Sequence, residues 1–315
     1  DGEIRLIAST GDGIMATVTD NPTTLATVLA DETILKIFHN AAFDVTWLET
    51  KGCQVRNYTD TMIMSQVIRH EAQQGNSLAE LARQYLGIEL DKTLQSADNW
   101  QDELAGEHME YVKQDASVTY HLYHLLADKI EELYLEDTLQ REIAALPAVI
   151  KLQQDGILFD FAGWRLEIAK IEAEREELAQ VIRNELKIPD INLQSSMQLK
   201  LALEGIGAKV PGTSDEVLAD YEEDWPVIRM IRKYKKLQKK ISSFGDKLQQ
   251  YIGTDGRMRG NWRLLGANTG RMSCTKPNLQ GMPGKSKPYF KAAVGHKFII
   301  ADFSQIELRV VAQLA

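Results

Sequence analysis

The chain has 315 residues, of which 44% are hydrophobic and 26% charged, and this composition excludes disordered, collagen-like and low-complexity proteins. No stretch approaches the roughly 20 consecutive apolar residues of a membrane-spanning helix, and the N-terminus has no basic-then-apolar secretion signal. We therefore expect a cytoplasmic protein without a membrane partner. The formal net charge of −9 argues against a surface that is basic throughout, so any binding of nucleic acid has to come from local clusters. Cys53 and Cys274 lie in no paired spacing and predict neither a disulfide framework nor a zinc site.

Residues 1–135 predict an α/β domain. Two β-rich runs, IRLIAST and IMATV, are separated by turn residues, and a third run, ILKIF, leads into the helical segment HNAAFDVTWL. Helical patterns dominate from Asn76 onward. We place the end of this domain between Leu135 and Pro147.

Residues 136–250 predict an α-helical region. Asp160 is a candidate N-cap of a long helix that ends near Pro189, SSMQLKLALE predicts a further helix, and Thr213 to Glu216 forms a T-x-x-E capping box. A third unit, residues 251–315, contains the apolar run KFIIA, predicted to be a buried strand, followed by the helical segment QIELRVVAQLA. The pattern stops without a helix C-cap, so we expect a fragment that is incomplete at both ends.

Two acidic motifs of the first domain are commonplace when taken singly. In NAAFDVTWL, the residues Asn40, Phe43, Asp44 and Trp47 share one side of a helix that follows a strand. In YVKQD, Tyr111 and Asp115 lie one turn apart, which would let a phenol hold a water while the carboxylate holds a metal. Each segment alone is equally typical of an amphipathic helix with a solvated carboxylate.

In this order, the two motifs resemble the second and third motifs of the DEDD-type 3′→5′ exonucleases, in the variant with tyrosine. The resemblance covers roughly Ile4 to Leu125 and implies a ribonuclease-H-like fold with two divalent metals ~4 Å apart. It implies that Asp44 and Asp115 are metal ligands and that Tyr111 orients the attacking water. Asn40 and Phe43 would shape the pocket for the terminal nucleotides.

The first motif of that family, D-x-E on the opening strand, has no clear counterpart. Asp1-Gly2-Glu3 fits the letters, but no apolar strand precedes it to hold the carboxylates. We predict a turn at these residues and expect the true motif to lie upstream of the chain or to be lost.

A basic helix is predicted from Val227 to Gln250. It carries eight basic side chains against one acid, Asp246, in a chain that is acidic overall. A solvated face explains such a run equally well, but small polar residues at the end of the helix favour binding to phosphate. The candidate contacts to a DNA backbone are Arg232, Lys235, Lys236, Lys239 and Lys240.

Two long motifs near the C-terminus decide the interpretation. They read NTGRMSCTKPNLQGMP and IADFSQIELR, and they closely resemble the T-G-R-x-S, P-N-L-Q-x-x-P and D-Y-S-Q-I-E-L-R motifs of family A DNA polymerases. The middle region is similar to the thumb of that family, so the resemblance spans nearly the whole chain. It implies an exonuclease domain, a helical connector and thumb, and the first part of an α+β palm.

The resemblance also implies roles for individual residues. Asp302 would ligate both catalytic metals, Mg²⁺ or Mn²⁺, at the end of its strand, and Glu307 would exclude ribonucleotides. Arg271 would donate to the minor groove at the primer end. Gln305, Asn278 and Gln280 would lie near the substrate.

The sequence departs from the family in three places. Phe303 replaces the usual tyrosine, the segment GKSKPYFKAA lacks paired arginines, and the fingers helix and second catalytic aspartate are missing. We therefore expect a monomeric fragment of a bacterial or phage proofreading polymerase, with an organellar one as the open alternative. It would use primer-template DNA and deoxynucleoside triphosphates and would not polymerise by itself. A stand-alone exonuclease of the ribonuclease D type, or a DNA-binding module without catalysis, remains the alternative.

Overall fold

A computed structural model describes residues 7–69, 75–91 and 106–315, which form eleven α-helices and nine short strands. The helices are α1 (Ala26–Ala30), α2 (Ala41–Thr50), α3 (Thr61–Arg69), α4 (Leu78–Leu81), α5 (Gly106–Glu132), α6 (Glu136–Asp155), α7 (Phe161–Leu186), α8 (Ser196–Gly205), α9 (Asp215–Ala219), α10 (Pro226–Phe244) and α11 (Ile306–Leu314). The strands are β1 (Ile7–Thr10), β2 (Ala16–Thr19), β3 (Lys36–Phe38), β4 (Tyr58–Asp60), β5 (Ile157–Phe159), β6 (Arg257–Met258), β7 (Asn261–Arg263), β8 (Ser273–Thr275) and β9 (Phe290–Lys291). None of these described helices is long and apolar enough to cross a lipid bilayer.

The first compact unit contains the described residues up to Gly156, together with Arg259–Gly281. Strands β1 and β2 form an antiparallel hairpin, and β3 pairs in parallel with β4. A parallel pair needs a crossover, which α2 supplies between β3 and β4. Helix α5 packs against both sheets, and α6 packs against α2.

The core of the first unit follows the helical period. On α5, the residues Val118, Leu122, Leu126 and Ile130 recur every fourth position and are buried. They join buried side chains of α2, α3, α4 and α6 in one apolar cluster, to which Leu264, just after β7, also belongs. The hairpin β7–β8 is therefore anchored in the same core as the N-terminal helices.

The second compact unit contains residues 157–258 and 282–315. Strands β6, β5 and β9 form an antiparallel sheet in that order, and α7 packs along α10. The Asp160 side chain accepts a hydrogen bond from the Gly163 N–H at 2.9 Å and caps α7, as the sequence predicts. Buried residues of α7, α8, α9 and α10 form a second apolar cluster.

Two predicted features of the second unit are wrong. The run KFIIA does not form a strand, because none of the described strands pairs with this segment. Residues 294–315 are exposed throughout. Asp302 therefore does not lie at the end of a buried strand, and α11 begins after Gln305, which makes no side-chain capping hydrogen bond. Helix α9 is capped by Ser214, one residue after the predicted Thr213.

The compact units divide the chain at positions other than those predicted from the sequence. Helix α6, predicted to open the second domain, belongs to the first unit, and so does the hairpin β7–β8 of the predicted palm segment. Buried apolar residues of α6, including Leu146 and Val149, join the core of the first unit, which explains this placement.

Candidate functional site

The first turn of α2 presents Asp44 next to a second carboxyl group. Strand β3 runs into Asn40, whose backbone is left-handed (φ 70°), and α2 starts immediately after it. Burial first, and then the negative charge of Asp60, raise the pKa of Asp44 to about 7. Two carboxyl groups in a desolvated position resist ionising together, and a bound divalent cation would relieve that repulsion.

Asp60 is a functional candidate that the sequence interpretation missed. It is 1% exposed at the end of β4, and its carboxylate accepts four backbone N–H groups. The donors are Asn40 at 3.0 Å, Ala41 at 2.8 Å, Met62 at 2.8 Å and Ile63 at 3.4 Å. Burial raises the pKa of Asp60, and these N–H bonds oppose that rise.

One carboxylate thus serves the N-termini of two helices, α2 and α3. The parallel pairing of Phe38 with Asp60 brings both strand ends to one edge, so a side chain at the end of β4 reaches the first turn of α2. His39 adds a link between its Nδ1 and Thr61 Oγ1 at 2.9 Å. The signal in the sequence was an Asp between the β-rich YT and the apolar helix TMIMSQVI, which is typical of an N-cap.

Tyr111 and Asp115 lie on α5, which packs against β3 and α3. Both side chains are half-buried, and Tyr111 lines an open cavity of about 580 Å³ beside the hairpin β1–β2. The lining also includes Ile14, Glu110 and Gln114. Helix α2, which carries Asp44, follows β3 directly, and α5, which carries Asp115, packs against the same strand. The convergence of the two carboxylates on a metal stays a prediction.

The predicted first motif, Asp1-Gly2-Glu3, lies outside the described residues. Within residues 7–69, 75–91 and 106–315, no three His, Cys, Asp or Glu side chains are grouped so as to hold a metal ion. Carboxylate oxygens are nevertheless the donors that Mg²⁺ prefers, so the chemistry of Asp44 and Asp115 fits the expected metal. Phe43 is 60% exposed on α2 and packs edge-on against Trp47, with the ring centroids 6.4 Å apart.

Arg271 is presented by the hairpin β7–β8. The loop between the strands closes through a hydrogen bond from the Ala267 N–H to the Arg271 carbonyl at 3.1 Å, and the Arg271 residue is exposed. Asn278 and Gln280 are also exposed, but each makes a local contact. The Asn278 Oδ1 accepts the Gly281 N–H at 2.9 Å, and the Gln280 Nε2 donates to the Met272 carbonyl at 3.1 Å. Gln280 thus ties its own turn to the strand that follows Arg271.

The predicted polymerase residues in the last segment are all exposed. Asp302, Gln305 and Glu307 lie in or just before α11, whose apolar side chains are exposed as well. Gln305 has a left-handed backbone (φ 51°) at the start of that helix, and the Arg309 Nε donates to the Ser304 carbonyl at 3.0 Å. These residues lie in sequence order on one short segment and are not gathered into a closed site.

The five predicted backbone-binding side chains of α10 fall into two groups. Arg232 is 15% exposed and pairs with Asp215 at 2.8 Å and with Glu222 at 2.5 Å. Lys235 donates to the carbonyl of Thr213, and burial lowers the pKa of its ammonium group. Both side chains therefore hold α10 to its neighbours.

The second group consists of Lys236, Lys239 and Lys240. Lys236 is 59% exposed and lies 3.7 Å from the Asp215 carboxylate, while Lys239 is exposed and Lys240 is half-exposed on the following turn. These three ammonium groups are the ones on α10 that best suit contact with a polyanion.

Comparison with known proteins gives two family matches within the chain. Residues 165–315 match the model of DNA polymerase family A, and residues 10–131 match a 3′-5′ exonuclease model. DNA polymerase I of Aquifex aeolicus is 28% identical over 300 residues, which cover 87% of this chain and 51% of the relative. DNA polymerase I of Pseudomonas aeruginosa is also 28% identical, and the alignment covers 92% of this chain and 35% of the relative. The chain thus spans about half or less of the length of these relatives.

A solved structure supports the same fold. The POL domain of Pol1 from M. smegmatis, in complex with DNA primer-template and dNTP, superposes with a TM-score of 0.79 at 23% identity. The superposition covers 95% of this chain and 54% of that one.

Proposed function

We propose that the chain is part of a proofreading DNA-directed DNA polymerase of replication or repair, because residues 165–315 match DNA polymerase family A and residues 10–131 match a 3′-5′ exonuclease model. The observation that carries the proposal is the order of the two family segments, with the exonuclease match followed by the polymerase match in one chain. The substrates would be primer-template DNA and deoxynucleoside triphosphates. We place the parent enzyme in the bacterial cytoplasm as a monomer, since the relatives are bacterial.

In the exonuclease part, we assign Asp44 and Asp115 to the metal ions. Bound Mg²⁺ or Mn²⁺ would supply an activated water and stabilise the departing 3′ oxygen. Tyr111 would hold that water in line with the scissile phosphate, and Asn40 and Phe43 would contact the terminal nucleotides. The pKa of about 7 at Asp44 supports this assignment, because it marks a carboxylate whose charge lacks compensation.

In the polymerase part, we assign Asp302 to the metal ions of nucleotide addition and Glu307 to the exclusion of a 2′-hydroxyl. Arg271 would donate to minor-groove acceptors at the primer end, with Gln305, Asn278 and Gln280 near the substrate. The motif DFSQIELR and its position inside the matched segment 165–315 support these roles. That same match argues against a stand-alone exonuclease of the ribonuclease D type.

The α-helical part of the second unit would act as the thumb, and the segment from residue 251 would open the palm. Helices α7 and α10 pack along each other, and α10 presents Lys236, Lys239 and Lys240 on its exposed side. These side chains would contact phosphates without regard to sequence.

Primer extension by the protein expressed from its complete reading frame tests the function. With Mg²⁺ present, Asp302→Asn should lower kcat by several orders of magnitude, more than ~4 kcal/mol of transition-state stabilisation, while DNA binding is kept. Asp190→Asn removes an exposed carboxylate after α7 and is the matched control with normal turnover. If Asp302→Asn retains more than about a tenth of wild-type kcat, a loss below ~1.4 kcal/mol, the role given to Asp302 is wrong.

A further inference from the structure

Two consecutive glutamines at the end of α6 contact both the nuclease helix α2 and the hairpin β7–β8. The Gln153 Nε2 donates to the Ala42 carbonyl at 3.3 Å, and the Gln153 Oε1 accepts the Trp262 N–H at 3.1 Å. Ala42 lies in the first turn of α2, two residues before Asp44, and Trp262 is the central residue of β7. A single side-chain amide therefore joins the element that carries Asp44 to the element that carries Arg271.

Gln154 makes a second connection of a different kind. Its Nε2 donates to the Glu49 Oε2 at 2.8 Å, whereas its backbone carbonyl accepts the Arg259 Nε at 2.9 Å. Replacing the Gln154 side chain would thus remove a contact with α2 and leave the backbone contact with Arg259 in place. Replacing Gln153 would remove contacts with both elements.

The two hydrogen bonds of the Gln153 amide differ in how much the position of each bonded element depends on them. The Ala42 carbonyl also accepts the Thr46 hydroxyl at 2.6 Å, so the first turn of α2 keeps a partner without Gln153. The Trp262 N–H donates to Gln153 and so links β7 to α6. The side chains of Trp262 and Leu264 pack into the core of the first unit. Loss of Gln153 should therefore loosen the hairpin more than α2, because the half-buried Trp262 N–H would lose its acceptor.

We propose that Gln153 is a positioning residue that holds the Arg271 hairpin in register with the nuclease helix. The proposal rests on the proposed function, in which Arg271 reads the end of a duplex primer and Asp44 serves the excision of that end. The amide is planar, with its donor and acceptor in fixed directions, so its oxygen sets the place of β7 on α6, the helix that packs against α2.

Three substitutions in the full chain separate the two hydrogen bonds. Gln153→Met removes both, and Gln153→Glu keeps an oxygen for the Trp262 N–H but has no donor for the Ala42 carbonyl. Gln154→Ala is the matched control on the neighbouring residue. We measure the affinity for a primer-template duplex and for single-stranded DNA by fluorescence anisotropy, and hydrogen exchange of the segment 261–263 by mass spectrometry.

The expected result is a loss in Gln153→Met that Gln153→Glu rescues. Gln153→Met should weaken duplex binding about 5- to 10-fold, leave single-strand binding within about 2-fold, and speed exchange at 261–263. Gln153→Glu and Gln154→Ala should stay within about 2-fold of the wild type in all three measurements. In the Arg271→Ala background, Gln153→Met should cause no further loss, because both changes act on one contact.

Contrary results separate this proposal from the proposed function. Unchanged exchange at 261–263 in Gln153→Met, or equal losses on duplex and single strand, would overturn the positioning role. Additive losses in the Arg271→Ala background would overturn it as well. Failure of the wild-type chain to bind any primer-template would instead count against the proposed function, while the exchange measurement would still decide whether Gln153 holds β7.

Discussion

Asp60 offers a direct test of how one buried carboxylate stabilises the N-termini of α2 and α3. Asp60→Ala would leave four backbone N–H groups of α2 and α3 without their acceptor in a place that is 1% exposed. Losing one N-cap costs about 0.5–2 kcal/mol, and two buried caps are lost together here. We therefore expect a loss of about 2–4 kcal/mol in the free energy of unfolding.

Asp60→Asn separates the charge from the hydrogen bonds. Its amide keeps one oxygen, which can accept from the Asn40, Met62 and Ile63 N–H groups that share Oδ1 in the wild type. Its NH₂ group cannot accept from the Ala41 N–H. We expect about half of the loss of Asp60→Ala. Asp12 is a control, because it accepts the Ile14 and Met15 N–H groups, both at 2.9 Å, at an exposed turn where water can replace it.

Chemical denaturation followed by far-UV circular dichroism, with the melting temperature as a second measure, checks these expectations. Asp60→Ala should lower Tm by about 5–15 °C, more than Asp60→Asn, and Asp12→Ala should have the smallest effect. A loss below about 1 kcal/mol for Asp60→Ala would refute the double-cap argument. Equal losses for Asp60→Asn and Asp60→Ala would show that the charge, and not the set of hydrogen bonds, stabilises the two helix ends.

The remaining predictions concern pH, metal and DNA. Since the folded-state pKa of Asp44 is raised to about 7, its protonated form favours folding below about pH 4, and this contribution is lost as the pH rises through 7. In chelator, Asp44→Asn should therefore be more stable than the wild type by up to ~4 kcal/mol at pH 8, since the pKa rises from 3.8 to about 7, and by little at pH 4. Denaturation measures this difference in stability, and a difference that does not change with pH would contradict the shift. Millimolar Mn²⁺ or Mg²⁺ should raise the Tm of the wild type at pH 8 and should do so less for Asp44→Asn. Replacing Lys236, Lys239 and Lys240 with Ala should weaken binding equally on all DNA sequences and reduce the salt slope by ~1 per lost phosphate contact, whereas Lys200→Ala on α8 should leave the slope unchanged. Arg232→Ala should instead lower Tm more than Lys239→Ala does, because it removes the ion pairs of Arg232 with Asp215 and with Glu222.

Local patterns in the sequence determined much of the secondary structure and the family. The Asp160 cap and the helical pattern of the segment that forms α5 are properties of consecutive residues, and both appear in the structure as predicted. The order of the motifs, from NAAFDVTWL and YVKQD to TGRMS and DFSQIELR, was enough to predict an exonuclease domain followed by polymerase family A, which the family matches confirm. Such motifs are long, so their identity does not depend on the fold around them.

Contacts between distant residues were decided only by the tertiary structure. Asp60 caps α2 because a parallel strand pair aligns positions 38 and 60, and Gln153 reaches Trp262 across more than a hundred residues. Arg232 and Lys235 looked like DNA contacts because the sequence shows the charge on a helix but not its partners Asp215, Glu222 and Thr213. The run KFIIA has the composition of a buried strand, yet a strand exists only when a neighbour accepts its hydrogen bonds, and no described strand does so here. Helical periodicity is encoded within one segment, whereas pairing, capping across strands and charge neutralisation depend on which segments the fold brings together.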